Sequence, residues 1–336
     1  MKSIRPSIAP AMILLFSVVP AAAHHSAAQF DMSRTVAFDA IVTDFEWKNP
    51  HVFVHVDRTD DNGDMSDLQI EADGVSMLVP HGWSRESLDA GDRVRVEAYP
   101  PKDPARRAML GYSITKQDGT VLAPNPDRFS AALPVSAERA AGIEGVWLPR
   151  WDAFFNFRNG SWPRTEQGQR FVSLPESERN PLYDCVPYAT PRIMVIPVHT
   201  EIEVLSDRVL IRVDWLDVER VVYTDGRGHP NDGERTIQGH TIGHWEGDTL
   251  VMDTTAFSLD SIGDAGYATG PDKHIEERLS LGDDGKTLTY EFTLEDSENL
   301  LGPVTGRGIW DYRPDLKPST VECYLDAARR SLDPVD

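Results

Sequence analysis

The chain has 336 residues, a formal net charge of −21 and 40% hydrophobic residues. This length suits two domains of ordinary size, and the negative charge argues against nucleic acid or anionic lipid as a partner. Beyond the N-terminus no stretch approaches the roughly 18 apolar residues that a spanning helix needs, so we predict no membrane span.

The first 23 residues are predicted to be a secretory signal peptide. Lys2 and Arg5 form a positive start, and residues 11–19 are almost wholly apolar but too short for a membrane anchor. Pro20 ends this apolar segment, and residues 21–23 are three alanines, the small residues that signal peptidase requires.

Cleavage after Ala23 best fits this pattern, and cleavage after Ala28 is the alternative that leaves a different first residue. The mature protein would then begin at His24 and carry a charge of about −23, because the signal peptide removes two cations. We therefore expect a protein of the periplasm or the extracellular space.

The sequence contains two cysteines, Cys185 and Cys323. In an oxidising compartment such a pair favours a disulfide over a metal site, and the long loop it closes would stabilise the fold by about 4–5 kcal/mol in the chain-entropy model. The alternative is two separate buried thiols.

Residues 24–122 are predicted to form a small β-barrel domain. Runs such as "VAFDAIVTDFEW", "HVFVHVDRT" and "AGDRVRVEAYP" are rich in β-branched residues or alternate between apolar and polar, and turn residues separate them. About five such strands predict an OB-like barrel. Residues 84–92 are expected to contain a few helical turns.

A linker is predicted at residues 123–142, which are rich in Pro, Ala and Ser, and a larger domain follows at 143–336. This domain opens with Gly145 and Trp147 in a G-x-W pattern, and hairpin signals recur along it. We predict a mostly antiparallel calycin- or lipocalin-like barrel, with helical turns within 164–179.

Several motifs occur together in the order found in an exported bacterial two-domain family. They are "HHSAAQFD", "FEWKNPHVFVHV" and "LDAGDRVRVEAYPPKD" in the first part, and "YDCVPYATPRIM", "VYTDGRGHP", "TIGHWEGDTLVMDTTAF" and "HIEERL" in the second. The chain resembles this family of unknown function over most of its mature length. Ile237 stands where that pattern has Trp, and Ala256 where it has Gly. The resemblance implies export and a shared architecture, without an activity.

The predicted mature N-terminus suggests a copper site. His24 would offer its α-amine and its imidazole to one ion, His25 gives a variant of the same chelate, and His51 is the favoured third nitrogen ligand. His55 lies about 13 Å from His51 along the same strand face, so both could not easily bind one ion. The alternative is that these histidines are solvated or structural.

The second domain concentrates polar residues in three motifs that could meet at one barrel mouth. We predict catalytic roles for Arg227, His229, His274 and Glu277, because imidazole, carboxylate and guanidinium together support general acid–base chemistry. Ligand-binding roles are predicted for a second set: Arg192, Asp225, His240 and Trp245. The same motifs contribute His244, Glu246, Glu276 and Arg278. The alternative is turn chemistry and surface ion pairs.

Strand alternation in "HIEERL" places its two acids on opposite faces, which predicts that one of them points inward. His274, Glu276 and Arg278 share one face, and Glu277 shares the other with two apolar neighbours. A carboxylate inside an apolar barrel requires a partner such as Arg.

Three functions are compatible with these residues. The first is an exported protein that binds a small, partly apolar ligand in its second barrel and copper at its N-terminus. The second is a lyase, isomerase or hydrolase that uses the polar motifs without an organic cofactor, and the third is a scaffold without a site. No sequence motif indicates a covalent nucleophile, and the oligomeric state is not set by the sequence.

Overall fold

The computed structural model describes the chain in seven ranges: 29–59, 65–126, 136–153, 162–231, 234–258, 269–319 and 321–330. Two closed β-barrels follow one another in this part of the chain. Among these residues no helix is long and apolar enough to cross a membrane. The fold is therefore mostly β, as the sequence predicts.

The first barrel has five strands that close on themselves and a short sixth strand on the edge. The strands are β1 (Val36–Glu46), β2 (Val52–Thr59), β3 (Met65–Ala72), β4 (Arg93–Tyr99), β5 (Ala108–Lys116) and β6 (Val121–Leu122). Their order is β3-β2-β1-β4-β5, and a parallel pairing of β5 with β3 closes the barrel. This arrangement confirms the predicted OB-like barrel.

Alternation along the strands fills the first barrel. Phe38, Ala40 and Val42 on β1 are buried while their neighbours face outward, and Val94 and Val96 repeat the pattern on β4. The helix α1 (Val75–Leu78) and a 3-10 helix at Val79–His81 lie between β3 and β4. The helical turns expected at 84–92 are wrong, because these residues form turns that lead into β4.

The second barrel has nine strands in a meander. They are β7 (Gly145–Pro149), β8 (Thr200–Val204), β9 (Arg208–Val213), β10 (Val218–Tyr223), β11 (His240–Glu246), β12 (Thr249–Thr255), β13 (His274–Leu281), β14 (Thr287–Glu295) and β15 (Val304–Tyr312). Every strand pairs with its sequence neighbours, and β15 pairs with β7 to close the barrel. All pairs are antiparallel except β10–β11, which is parallel.

Short helices lie between β7 and β8, and the last of them is buried in the core of this barrel. They are α2 (Glu166–Val172), α3 (Glu176–Arg179) and two 3-10 helices at Pro181–Asp184 and Arg192–Val195. The helical turns expected within 164–179 are therefore confirmed. Thr165 caps α2 because its side chain accepts a hydrogen bond from the backbone of Gly168.

Trp147 of the G-x-W pattern is completely buried, as its position at the start of the meander predicts. Its indole Nε1 donates a hydrogen bond to the carbonyl of Ile143 at 2.8 Å, and its ring lies 5.0 Å from that of Tyr312. The indole thus has both an apolar surrounding and a hydrogen-bond partner, which a buried Trp requires.

A buried ion pair lies inside the second barrel. Both carboxylate oxygens of Glu277 on β13 accept hydrogen bonds from Arg220 on β10, at 3.0 and 2.6 Å. The hydroxyl of Tyr290 donates to Glu277 at 2.7 Å, and Thr254 donates to it at 3.2 Å. Arg220, Glu277 and Tyr290 are at most 2% exposed. The predicted inward carboxylate with an arginine partner is confirmed, and the partner is Arg220.

The two predicted cysteines form one disulfide between Cys185 and Cys323. Cys185 follows the 3-10 helix at Pro181–Asp184, and Cys323 precedes the last helix, α4 (Leu325–Arg329). The bond therefore ties the C-terminal segment to the second barrel. It also fits a location outside the cytoplasm, where disulfides persist.

We expect Glu277→Ala to lower the free energy of unfolding by about 3–5 kcal/mol, because it leaves the Arg220 cation buried without a counter-ion. Urea denaturation measures this loss. The matched control is Glu291→Ala on the outer face of β14, whose ion pair with Arg307 is exposed, and we expect it to cost less than about 1 kcal/mol. Equal losses in the two variants would contradict the assignment.

Ala256 adopts a left-handed backbone conformation, with φ of 57°, directly after β12. A side chain makes this conformation unfavourable, and glycine relieves the strain. Ala256→Gly is therefore expected to raise the free energy of unfolding by about 0.5–1 kcal/mol in urea denaturation. Ala37→Gly in the extended strand β1 is the control, and a loss of similar size is expected there. A loss at both positions would contradict this account of Ala256.

Candidate functional site

A polar cluster lies on the outer face of the second barrel, where β11, β12 and β13 run side by side. We call it the Asp253 cluster, and its members are His229, His240, Asp253, His274 and Glu276. Asp253 on β12 lies directly opposite Glu276 on β13. His274 is two residues before Glu276 and therefore on the same face, within diagonal reach of Asp253.

His229 reaches the cluster from the crossover between β10 and β11. These strands are parallel, so the intervening residues 224–239 must run back along the barrel, as parallel pairing requires. The crossover ends at Gly239, whose φ is +74° and whose missing Cβ would lie 2.6 Å from the carbonyl oxygen of Thr255. Glycine is required there, and it starts β11 with His240 opposite Thr255.

The cluster is a continuous chain of polar contacts. The carboxylate of Asp253 lies 2.8 Å from Nε2 of His229 through Oδ1 and 2.9 Å from Nε2 of His274 through Oδ2. Nδ1 of His229 lies 2.9 Å from Nδ1 of His240, so one of these two nitrogens carries a proton. Asp253 thus links two imidazoles directly, and His240 is joined to them through His229.

The cluster is open to solvent, since the side chains of His229, His274 and Asp253 are 23%, 33% and 39% exposed. Burial acts to raise the pKa of Asp253, but the hydrogen bonds from His274 and His229 outweigh it and lower this pKa. Burial acts to lower the pKa of His274, and the hydrogen bond and charge of Asp253 raise it overall. Asp253 is therefore a carboxylate at neutral pH.

Aromatic and cationic groups support His240 from the other side. Its ring stacks on Tyr223 with 5.3 Å between ring centroids, and the guanidinium of Arg227 lies 4.0 Å from the Tyr223 ring. Arg227 is held by Asp225, whose carboxylate accepts its Nε and its terminal nitrogen. The Arg227 guanidinium keeps the pKa of Asp225 down at about 2. Arg227 and Asp225 thus orient Tyr223, on which the His240 imidazole stacks, instead of facing Asp253.

Three members of the cluster have ligand atoms close enough together to hold one metal ion. Ligand atoms of Asp253, His274 and Glu276 lie within 4.8 Å of one another. Two nitrogen or oxygen ligands at about 2.1 Å from an ion, at right or tetrahedral angles, are themselves about 3.0–3.4 Å apart. The nitrogen–oxygen contacts of Asp253 with His229 and His274 need only a few tenths of an ångström to reach this spacing.

The four residues predicted to be catalytic do not form one site, since Arg227 is paired with Asp225 beside Tyr223 and the other three occupy two environments. His229 and His274 come together on the outer face, whereas Glu277 lies inside the barrel with Arg220 and Tyr290. The barrel wall is one residue thick, so Glu277 and its neighbour Glu276 belong to different chemical surroundings.

The remaining predicted residues of the second barrel lie apart from these contacts. Arg192 is buried, with its guanidinium 4.3 Å from the ring of Tyr188. His244 is exposed and contacts Glu246 at 3.4 Å, and Glu246 accepts a hydrogen bond from Arg278 at 2.5 Å. Trp245 is 41% exposed on the same strand. The contacts of His244, Trp245 and Glu246 are those of a solvated strand end.

The predicted copper ligands lie partly outside the described residues. His24 and His25, like the signal peptide, belong to the first 28 residues, which the structure does not describe. His51 precedes β2, and its Nδ1 lies 3.4 Å from the carbonyl oxygen of Ala72 and 3.6 Å from a carboxylate oxygen of Glu71. The copper site stays a prediction.

A second group of possible metal ligands lies on the first barrel. It differs from the Asp253 cluster because cationic side chains already pair with one of its carboxylates. It consists of Asp44, Glu46 and His55. Glu46 already accepts two hydrogen bonds from Arg330, at 2.8 and 3.0 Å, and forms an ion pair with Lys48 at 2.9 Å. The Arg330 hydrogen bond holds the pKa of Glu46 far below its usual range. The carboxylate is therefore neutralised by the protein's own cations.

The sequence analysis missed two residues that organise these sites, Asp253 and Arg220. The sequence does contain a signal for the burial of Arg220, because alternation puts it on the same face of β10 as Val218 and Val222, which are buried. Asp253 had a weaker one, as the one charged residue in "TLVMDTT". Its role depends on the pairing of β12 with β13 and on the path of the crossover.

A comparison with known families finds one match. Residues 13–110 match the sequence model of a family of unknown function (DUF6152). This confirms the predicted resemblance to a family of unknown function for the N-terminal part, which includes most of the first barrel. The resemblance of the second barrel's motifs stays a prediction. Comparison with curated proteins finds no match.

Proposed function

We propose that the protein is an exported metal-binding protein whose Asp253 cluster takes a divalent transition ion of the zinc, copper or nickel type. The observation that supports this most directly is that the imidazoles of His229 and His274 both contact the carboxylate of Asp253. A third imidazole, that of His240, contacts His229, and a second carboxylate, that of Glu276, lies opposite. Imidazole nitrogen with carboxylate oxygen is a ligand set that these ions favour.

The arrangement offers enough ligands without a large rearrangement. Asp253, His274 and Glu276 provide one compact set, and His229 lies on the other oxygen of Asp253. An ion between Asp253 and the imidazoles would replace the protons that now link them. His240 contacts the second nitrogen of His229, which is how outer groups orient a metal-binding imidazole.

Binding inside the second barrel is the other part of the function expected from the sequence, and it stays a prediction. Two observations bear on it. The ion pair of Arg220 and Glu277 occupies the described interior, which leaves less room for an apolar ligand. Arg220 Nε and Trp310 Nε1 are buried and have no acceptor among the described residues, which supports a small polar occupant near them.

Proton-transfer catalysis is a second candidate function, and the contact chain from His240 through His229 and Asp253 to His274 favours it. Such a chain can hold an acid and a base in fixed positions. The two functions differ in their dependence on metal. Lyase, isomerase or hydrolase activity in chelator-treated protein, lost in His274→Ala, would support catalysis without a metal.

The metal site is tested by titrating purified protein with Zn²⁺, Cu²⁺ and Ni²⁺ under calorimetric detection. We expect Asp253→Asn and His274→Ala each to weaken binding at least about tenfold, because each removes a ligand or its orienting partner. His244→Ala is the matched control, since His244 is an exposed imidazole on β11 that contacts Glu246. Its affinity should equal that of the wild type.

A variant with His24→Ala and His25→Ala separates the two metal sites. If both sites exist, this variant loses one equivalent of copper and keeps the ion at the Asp253 cluster. Native mass spectrometry of each protein reports the metal count and any bound ligand at once. Unchanged affinity in both Asp253→Asn and His274→Ala would contradict the proposal for the second barrel.

A further inference from the structure

The C-terminal segment contacts both barrels. We call the described residues 313–319 and 321–330 the C-terminal strap. They leave the second barrel after β15, and the backbone N–H of Arg313 still bonds to the carbonyl of Val146 at 2.8 Å. The segment then passes between the barrels and ends in α4.

Its first half binds both barrels through hydrogen bonds at Ser319. The carboxylate of Asp214, in the turn after β9, accepts the backbone N–H of Ser319 at 2.7 Å and its hydroxyl at 2.9 Å. The same hydroxyl lies 3.2 Å from that of Ser76 on α1 of the first barrel. Ser319 thus links the two units through one side chain.

Its second half is held on the first barrel by backbone pairing at Asn49. The N–H of Tyr324 donates to the carbonyl of Asn49 at 2.9 Å, and the side-chain amide of Asn49 donates to the carbonyl of Val321 at 2.9 Å. Val321 also packs against the core of the first barrel. These contacts lie on either side of Cys323.

Ion pairs hold α4 on the same surface. Arg330 pairs with both oxygens of Glu46, and its guanidinium lies 4.2 Å from the ring of Phe53. Lys48 pairs with Asp326 at 2.9 Å. On its other side α4 contacts the helical segment between β7 and β8, where Arg329 donates to the carbonyl of Tyr183 at 3.1 Å.

The disulfide closes this arrangement. Cys323 lies between the two contacts with Asn49, and Cys185 belongs to the segment that contacts α4. Both cysteines are partly exposed, so a small reductant can reach them. The remaining strap contacts are hydrogen bonds, partly exposed ion pairs and the packing of Val321, Ala327 and Ala328, and each polar contact contributes little alone.

We infer that the C-terminal strap is a redox-dependent latch, which docks the first barrel on the second barrel when Cys185 and Cys323 are joined and loosens when they are reduced. In the reduction, a dithiol gives two electrons and two protons to the disulfide, the S–S bond breaks into two thiols, and the dithiol becomes a disulfide. Docking would then be complete only in an oxidising compartment.

Hydrogen–deuterium exchange of the full chain tests the latch, with and without dithiothreitol. Reduction should speed exchange at least tenfold at the amides of Ser319 and Tyr324, whose acceptors, Asp214 and Asn49, belong to the two barrels. The strand amides of β1–β5 and β7–β15 should keep their protection within about twofold. Met77 packs in the hydrophobic core of the second barrel, and this contact should keep the two barrels from separating fully.

Two variants complete the test. Cys185→Ser with Cys323→Ser should exchange rapidly at the strap whether or not the reductant is present. Lys48→Ala with Arg330→Ala keeps the disulfide and should show a smaller increase that reduction then enlarges. If the double serine variant does not fold, reduction of the folded wild type decides. Slow strap exchange after reduction, or loss of protection in both barrels together, would overturn the latch.

Discussion

The closed wall of the second barrel is the constraint on which both of its polar sites depend. A barrel wall is one residue thick, so neighbouring residues on a strand face opposite environments. Glu276 and Glu277 show the consequence, since one lies in solvent beside Asp253 and the other is buried with Arg220. The buried pair ties β10 to β13 across the interior. The strands that carry the outer cluster are thereby held in fixed register.

The parallel pairing of β10 with β11 adds the second requirement. A hairpin at this point would carry the chain away in two or three residues, whereas the parallel pair requires a long return. The described part of that return, residues 224–231 and 234–239, brings His229 to Asp253 and places Arg227 on Tyr223, the last residue of β10, on which His240 stacks. The departure from a simple meander therefore creates the cluster. Its glycine at position 239 fixes where the return ends.

The sequence predicted those features that local pattern controls. Alternation predicted the strands, the inward direction of one of Glu276 and Glu277 and its need for an arginine, and the two cysteines predicted the disulfide. The residues missed, Asp253 and Arg220, depend on which strands become neighbours, and composition does not set that pairing. Residues 84–92 form turns instead of the predicted helix because the side chains of Ser84 and Asp92 accept backbone hydrogen bonds from Glu86 and Asp89. Such local side-chain bonds compete with helix formation.

The Asp253 cluster is tested most directly by anomalous diffraction from crystals of the protein grown with Zn²⁺ or Cu²⁺. The account predicts an anomalous peak about 2.0–2.2 Å from an oxygen of Asp253 and from an imidazole nitrogen of His274 or His229. A peak only at the N-terminal histidines, or an occupied position on other surface residues with Asp253 still bonded to both imidazoles, would contradict it.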